Sequence, residues 1–135
     1  MRRVLVDTGA LVALVRSRDH HHAAVAQFFG EFLSGELITT MPVLTETMHL
    51  VTAQLGPAVI ELARGPRWRL LDAAAGLARI GELMRKYADR PMDFADASLV
   101  WAAEDTGARE ILTTDRDFEI YRTRTHERLG LVLPL

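Results

Sequence analysis

Apolar positions along the chain alternate between short unbroken runs and runs spaced three and four residues apart. The first pattern predicts buried strands and the second amphipathic helices. Val4-Leu5-Val6 is unbroken and stops at Asp7-Thr8-Gly9, so Arg3 to Asp7 is predicted as a short buried strand. Ala10 to Arg16 takes helical spacing, with Thr8 as a cap. Asp19 to Leu33 is predicted as a second helix, with Ala23, Ala24, Phe28, Phe29, Phe32 and Leu33 on one face and Ser34-Gly35 as its stop. Glu36 to Thr40 is a strand, and Pro42 in the first turn opens a long helix through about Leu55. Gly56-Pro57 breaks the chain before a short helix from Ala58 to Arg64, and Gly65-Pro66 breaks it again. Trp68 to Leu71 fits a strand, Ala75 to Tyr87 a helix, and Asp93 to Thr106 a helix ended by Gly107. Glu110 to Thr114 is a strand running into Asp115, and Gly130 to Leu133 is a last short strand.

Strands that alternate with pairs of helices imply an α/β fold, here a three-layer α/β/α sandwich around a short central parallel sheet. No internal repeat, low-complexity tract or long linker divides the 135 residues, so one domain over residues 1–135 is expected. A composition 49% hydrophobic and 25% charged suits a packed core and is too apolar for a disordered chain. The absence of cysteine excludes disulfides, thiolate zinc sites, iron-sulfur ligation and cysteine nucleophiles, and is compatible with a reducing compartment. The opening Met1-Arg2-Arg3 leads into an apolar stretch far too short for a signal sequence or a membrane span, so a cytoplasmic protein is expected.

A formal net charge of −2 does not mark a nucleic-acid-binding domain. That average changes its meaning if several carboxylates share one pocket, because the remaining surface is then basic. Its cations are arginines apart from Lys86. Guanidinium forks suit phosphate, and equally they suit a solvated surface rich in arginine.

Strand ends and helix starts meet at one edge of such a sheet, where open α/β folds bind their ligands. The polar residues delivered there are nearly all acids. Asp7 follows the first strand, and Asp115 and Asp117 follow the strand Glu110 to Thr114. Glu46 lies one turn inside the helix after Thr40, and Asp93 and Asp96 share one helix face at i, i+3 spacing. Crowded carboxylates drift toward protonation unless a cation compensates them. Oxygen-only ligands suit Mg2+ or Mn2+, ions able to activate a water and stabilise charge on a phosphodiester. Singly, each acid has a local explanation: a capping pair at Asp93 and Asp96, turn residues at Asp115 and Asp117, a helix-start anion at Asp7, a solvated Glu46. Their joint placement is what points to a metal site.

These residues also carry a resemblance. Val4-Leu5-Val6-Asp7-Thr8, Thr45-Glu46, the run Asp93-Phe94-Ala95-Asp96-Ala97-Ser98-Leu99-Val100, and Leu112-Thr113-Thr114-Asp115-Arg116-Asp117-Phe118 together resemble a PIN domain. More narrowly they resemble the VapC-type ribonuclease toxins of toxin-antitoxin pairs, over essentially the whole chain. The resemblance implies a Mg2+- or Mn2+-dependent endoribonuclease with catalytic acids at Asp7, Glu46, Asp96 and Asp115. Asp93 and Asp117 are expected as further ligands or supporting groups, and the Thr8 and Thr113 hydroxyls as groups that orient a ligand or water; Arg116, between two acids, is read separately as supporting the site by pairing with them or by reaching phosphate. The resemblance also implies an RNA substrate, inhibition by a cognate antitoxin protein, and a homodimer. The Leu-, Val- and Ala-rich helices between Pro42 and Arg64 independently suggest an apolar surface for a partner or second copy.

Other features are read conservatively. Glu46-x-x-His49 has the form of a di-iron ligand pair but occurs once, so His49 is taken as a packed or half-exposed helix residue. His20-His21-His22 is a solvated helix start, Trp101 is core, and Trp68 has the chemistry to stack a base. A phosphoacceptor receiver would need a lysine at a strand end, and Lys86 lies inside a helix. Phosphatase chemistry of the haloacid type lacks its second aspartate after Asp7-Thr8-Gly9. The remaining alternative is a catalytically silent PIN-fold module that binds RNA or protein. The identity of the RNA lies beyond the sequence.

Overall fold

A computed structural model describes residues 1–134. Its centre is a five-stranded, all-parallel sheet in the order β3-β2-β1-β4-β5. The strands are β1 (Arg3–Val6), β2 (Glu36–Thr40), β3 (Trp68–Leu71), β4 (Glu110–Leu112) and β5 (Gly130–Leu131). β1 lies in the middle with Val4, Leu5 and Val6 fully buried, because a central strand covered on both faces has no room for polar side chains. Val6 pairs with Leu112 on one side, and Leu5 pairs with Ile38 on the other.

Among the described residues six α-helices cover the sheet: α1 (Thr8–Val15), α2 (His22–Glu31), α3 (Met41–Leu50), α4 (Gly56–Ala63), α5 (Leu77–Lys86) and α6 (Phe94–Thr106). α1 packs on α2, α3 and α4, whereas α5 packs on α6, which also lies across β1 and β2 and touches α3. The chain therefore winds outward from β1 through β2 to β3, then returns to the other side of β1 to form β4. That reversal opens a crevice at the C-terminal ends of β1 and β4. The expected α/β architecture is the one observed. Gly107 ends α6 in the left-handed conformation (φ 81°), which a residue with a side chain resists.

Several boundaries differ from the sequence reading. α2 begins at His22 because Asp19 organises a turn ahead of it: its carboxylate accepts from His21 N at 2.8 Å and its carbonyl from His22 N at 3.0 Å. Ala23 and Ala24 consequently face solvent, and Leu33 is 74% exposed, so the inward side of this helix is Val25 with the phenylalanines. α3 stops at Leu50, short of Leu55: β-branched Val51 is extended, and Thr52 O accepts from both Leu55 N and Gly56 N to start a new turn. Gly56-Pro57 forms the first turn of α4, a position where proline's missing N–H leaves no bond unmade. β4 ends at Leu112, two residues before Thr114, because the Thr113 side chain turns the backbone aside. β5 is confined to Gly130–Leu131, short of the expected Leu133.

Candidate active site

The crevice is built outward from Asp7. Its backbone N donates to Leu112 O at 3.0 Å, which extends the β1–β4 ladder by one rung and fixes the residue at the reversal of strand order. Its side chain caps α1, with Oδ1 accepting from Thr8 N at 2.7 Å, and Oδ2 accepts from the Thr113 hydroxyl at 2.7 Å. Thr113 Oγ1 accepts in turn from Asp115 N at 3.0 Å, and Asp115 Oδ1 from Asp117 N at 2.9 Å. One chain of hydrogen bonds thus links Asp7, Thr113, Asp115 and Asp117. The two segments approach closely because position 9 is glycine: a Cβ there would overlap the Thr114 hydroxyl.

A second wall comes from α6. Asp93 and Asp96 form a reciprocal capping box: Asp96 N donates to Asp93 Oδ1 at 2.8 Å, and Asp93 N to Asp96 Oδ2 at 3.3 Å. Ser98, one turn further and fully buried, bonds to Ala95 O at 2.7 Å and to the Thr40 hydroxyl at 2.6 Å. Thr40 caps α3 through Val43 N at 3.3 Å. The Thr40–Ser98 bond therefore pins the start of α6 to the end of β2, and Glu46, one turn into α3, comes to face Asp93.

The electrostatics show how closely the acids gather. Burial pushes Asp7 up to about 6, against the pull of its bonds to Thr113 and Thr8, and the charges of Asp115 and Glu46 push it further. Asp96 rises to about 8, first through burial and then through the charges of Asp7, Asp93 and Asp115. Glu46 is raised by burial and by Asp93, within hydrogen-bonding reach, and is held down by the nearby Thr8 hydroxyl. That hydroxyl is buried, with no partner in good hydrogen-bonding geometry among the described residues. So is the phenol of Tyr121, a residue missing from the sequence reading. Its pKa is raised by burial and then by the charges of Asp96, Asp117, Asp115 and Asp93, which places it beside the acids. Its ring packs edge-on against Phe118 and Tyr87. The spacing of Phe118 and Tyr121, three apart and directly after the acidic turn, was the available signal.

Comparison with known proteins fits this geometry. The PIN domain family matches residues 4–123. Ribonuclease VapC26 of Mycobacterium tuberculosis is 30% identical over 118 residues, which is 84% of this chain and 87% of that protein. The chain belongs to the PIN-domain family. Among solved structures, the fold is similar to VapC20 of M. tuberculosis, a sarcin-ricin loop cleaving toxin. The TM-score is 0.78 at 22% identity, covering 87% of this chain and 93% of that one. It is also similar to VapBC2 from Rickettsia felis bound to a DNA fragment from its promoter, with a TM-score of 0.61, 13% identity and 96% coverage of both chains.

The residues of this PIN domain suit a hard divalent cation by their chemistry. Six carboxylates and the buried hydroxyls of Thr8 and Tyr121 line a crevice without cysteine, where burial and mutual repulsion raise Asp7 and Asp96. Among the described residues, no three of these side chains converge tightly enough to enclose an ion as they stand, and Asp7, Asp93, Asp96 and Asp115 are engaged in capping bonds. Arg116 is exposed at the head of the Arg116–Glu119 turn. His49 is exposed rather than packed. His22 opens α2, with Nδ1 2.7 Å from Ala13 O, and His20 is solvated. Trp68 stacks on Phe29, and partly buried Trp101 packs on the core over Gly76, so both indoles serve packing. Many arginines pair with acids away from the crevice: Arg2 with Glu110, Arg79 with Glu104, Arg109 with Glu127. Among the described residues no helix is long and apolar enough to cross a membrane.

Proposed function

We propose that this chain is a divalent-metal-dependent endoribonuclease, the toxin of a toxin-antitoxin pair, acting as a single domain over residues 1–135 in the cytoplasm. The observation that carries the reading is the gathering of Asp7, Glu46, Asp96 and Asp115 at the strand-order reversal, where burial and mutual repulsion hold two of them far above ordinary carboxylate values. Uncompensated buried charge is costly unless a ligand uses it. The ribonuclease relative and the family match supply the chemistry.

In this reading Asp7, Asp96 and Asp115 hold Mg2+ or Mn2+, with Asp93 and Asp117 as further oxygen donors. When bound, such an ion lowers the pKa of a water and offsets charge on phosphoryl oxygens. The protein does the rest. Thr113 fixes the Asp7 carboxylate by donating to Oδ2, so that its orientation does not change when charge arrives. The capping box keeps Asp96 at the mouth of the crevice. Glu46, raised above its usual value by burial and by Asp93, stands beside the other acids where it can take or return a proton. Thr8 steadies Glu46, and Arg116 lies at the rim between Asp115 and Asp117. An antitoxin protein would inhibit by covering this mouth. Pairing of two copies through α3 and α4 is supported by the exposed apolar side chains Leu50 and Ile60.

Purified Asp7→Asn and Asp96→Asn variants test the reading on a mixed RNA substrate with Mg2+ or Mn2+. Both are expected to lose cleavage by at least about a hundred-fold, since loss even of a group that supports a metal ligand costs about ten- to a hundred-fold. Undiminished cleavage by either variant would refute the assignment.

A further inference from the structure

Beside the acids, a cleft of about 420 Å³ opens between the first turns of α3 and α6. Met41, Pro42 and Phe94 supply apolar walls, and Glu46, Asp72, Asp93 and His49 supply polar groups. Two of these, Glu46 and Asp93, also belong to the acidic constellation, so whatever occupies the cleft lies directly against those acids. Phe94 is 44% exposed and Met41 40%, an unusual cost for large apolar side chains at the edge of a charged crevice. Phe94 directly follows Asp93, so the aromatic ring and the acid are held by the same rigid first turn.

The charge of the lining narrows the occupant. It holds three carboxylates and neither lysine nor arginine, so a phosphate inside would meet repulsion. A neutral, flat heterocycle carrying N–H donors meets the opposite: a ring to stack on and carboxylate oxygens to accept its edge. The volume falls within the usual range of small-ligand sites. Proteins that read RNA by sequence do so mainly through unpaired bases, splayed out and stacked on aromatic side chains.

We propose that the cleft between α3 and α6 is a nucleobase subsite, which holds one unstacked base next to the scissile phosphate. The base stacks on Phe94, and the carboxylates of Asp72 and Glu46 accept from its amino or ring N–H groups. The subsite favours bases with a donor on the Watson–Crick edge and gives the enzyme a preference at one position beside the cut. This inference rests on the endoribonuclease reading and adds the feature by which that site selects its substrate.

The test uses the intact chain with Mn2+ and a random-sequence RNA pool, mapping the cut ends and comparing the parent with Phe94→Ala, Phe94→Tyr and Asp72→Asn. The parent should show a base preference at one position flanking the cut. Phe94→Ala should flatten that preference and raise KM about ten- to a hundred-fold, the range expected for losing one base–aromatic stack, while kcat falls less. Phe94→Tyr should restore both, and Asp72→Asn should change which base is preferred. Phe94 is exposed, so loss of folding does not confound the result. Parental cleavage with Phe94→Ala unchanged in pattern and KM overturns the subsite alone. Phe94→Ala that cuts like the parent but no longer binds an antitoxin makes the cleft a protein groove, which also overturns it. Absence of cleavage by the parent overturns the nuclease reading and the subsite with it.

Discussion

Replacing Asp7 by Asn should make the metal-free protein more stable at alkaline pH while abolishing its chemistry. Asn preserves the shape and the cap: its oxygen still accepts from Thr8 N, where the carboxylate now does at 2.7 Å. What disappears is a buried charge whose pKa stands at about 6 against an ordinary 3.8. At about 1.4 kcal/mol per unit, a rise from 3.8 to about 6 costs the fold about 3 kcal/mol once the group is ionised. Against this, the Asn amide cannot accept from the Thr113 hydroxyl, a loss of about 1 kcal/mol. The net gain at pH 8 is about 2 kcal/mol, or roughly 5–10 °C in Tm for a chain of this size. The sign follows from proton binding. Between its unfolded value of 3.8 and its folded value of about 6, Asp7 holds more protons in the folded state. Its neutral form therefore stabilises the fold fully below 3.8, and that advantage is lost as pH rises through about 6. Asp96, raised to about 8, extends the decline, and removing the Asp7 charge eases it too. Thermal melts of parent and variant in chelator from pH 4 to 8.5 measure the difference directly. Parent and variant should converge or cross near pH 4 and separate above pH 6. A variant less stable than the parent at pH 8, or a parent whose excess stability grows with pH, would refute the account of Asp7 as an uncompensated buried charge.

The remaining predictions concern the supports of the site. Adding Mn2+ at pH 8 should raise the melting point of the parent, by about 2.7 kcal/mol of stability at a hundred times Kd, and leave Asp7→Asn nearly unmoved; equal shifts would place the ion elsewhere. Thr113→Val strips Asp7 Oδ2 and Asp115 N of their shared partner. It should cost about 2–3 kcal/mol at pH 8 in urea denaturation and push the Asp7 pKa higher still, visible as an alkaline displacement of the pH–rate profile. Ser98→Ala cuts the tie from α6 to Thr40. It should cost about 1–2 kcal/mol and lower cleavage, whereas unchanged stability would show that the tie carries no weight. Gly76→Ala drives a methyl into the Trp101 indole and should cost about 1–3 kcal/mol, read as a lower Tm with altered tryptophan fluorescence.

Much of this protein is determined locally, and the sequence by itself shows it. The unbroken apolar runs such as Val4-Leu5-Val6, the helical spacing of three and four residues and the glycine stop at 107 depend only on neighbours in the chain, so strand and helix order follows directly from them. The acids stood out in the sequence through their joint placement at strand ends and helix starts, although the cap of α1 is Asp7 and not the expected Thr8. Boundaries were less legible where a side chain captured the backbone: Asp19 ahead of α2, Thr52 after α3, Thr113 after β4.

Only the tertiary structure decided how these pieces meet. That Asp7 and Asp115 flank the reversal between β1 and β4 depends on the strand order. That Thr40 reaches Ser98, and Tyr121 the acids, depends on packing between segments far apart in sequence. The raised values of Asp7 and Asp96 have the same origin: an aspartate titrates ordinarily in a solvated turn, and only burial beside other charges changes it. The cleft at Phe94 is likewise a space between two helices, and no single stretch of chain encodes it.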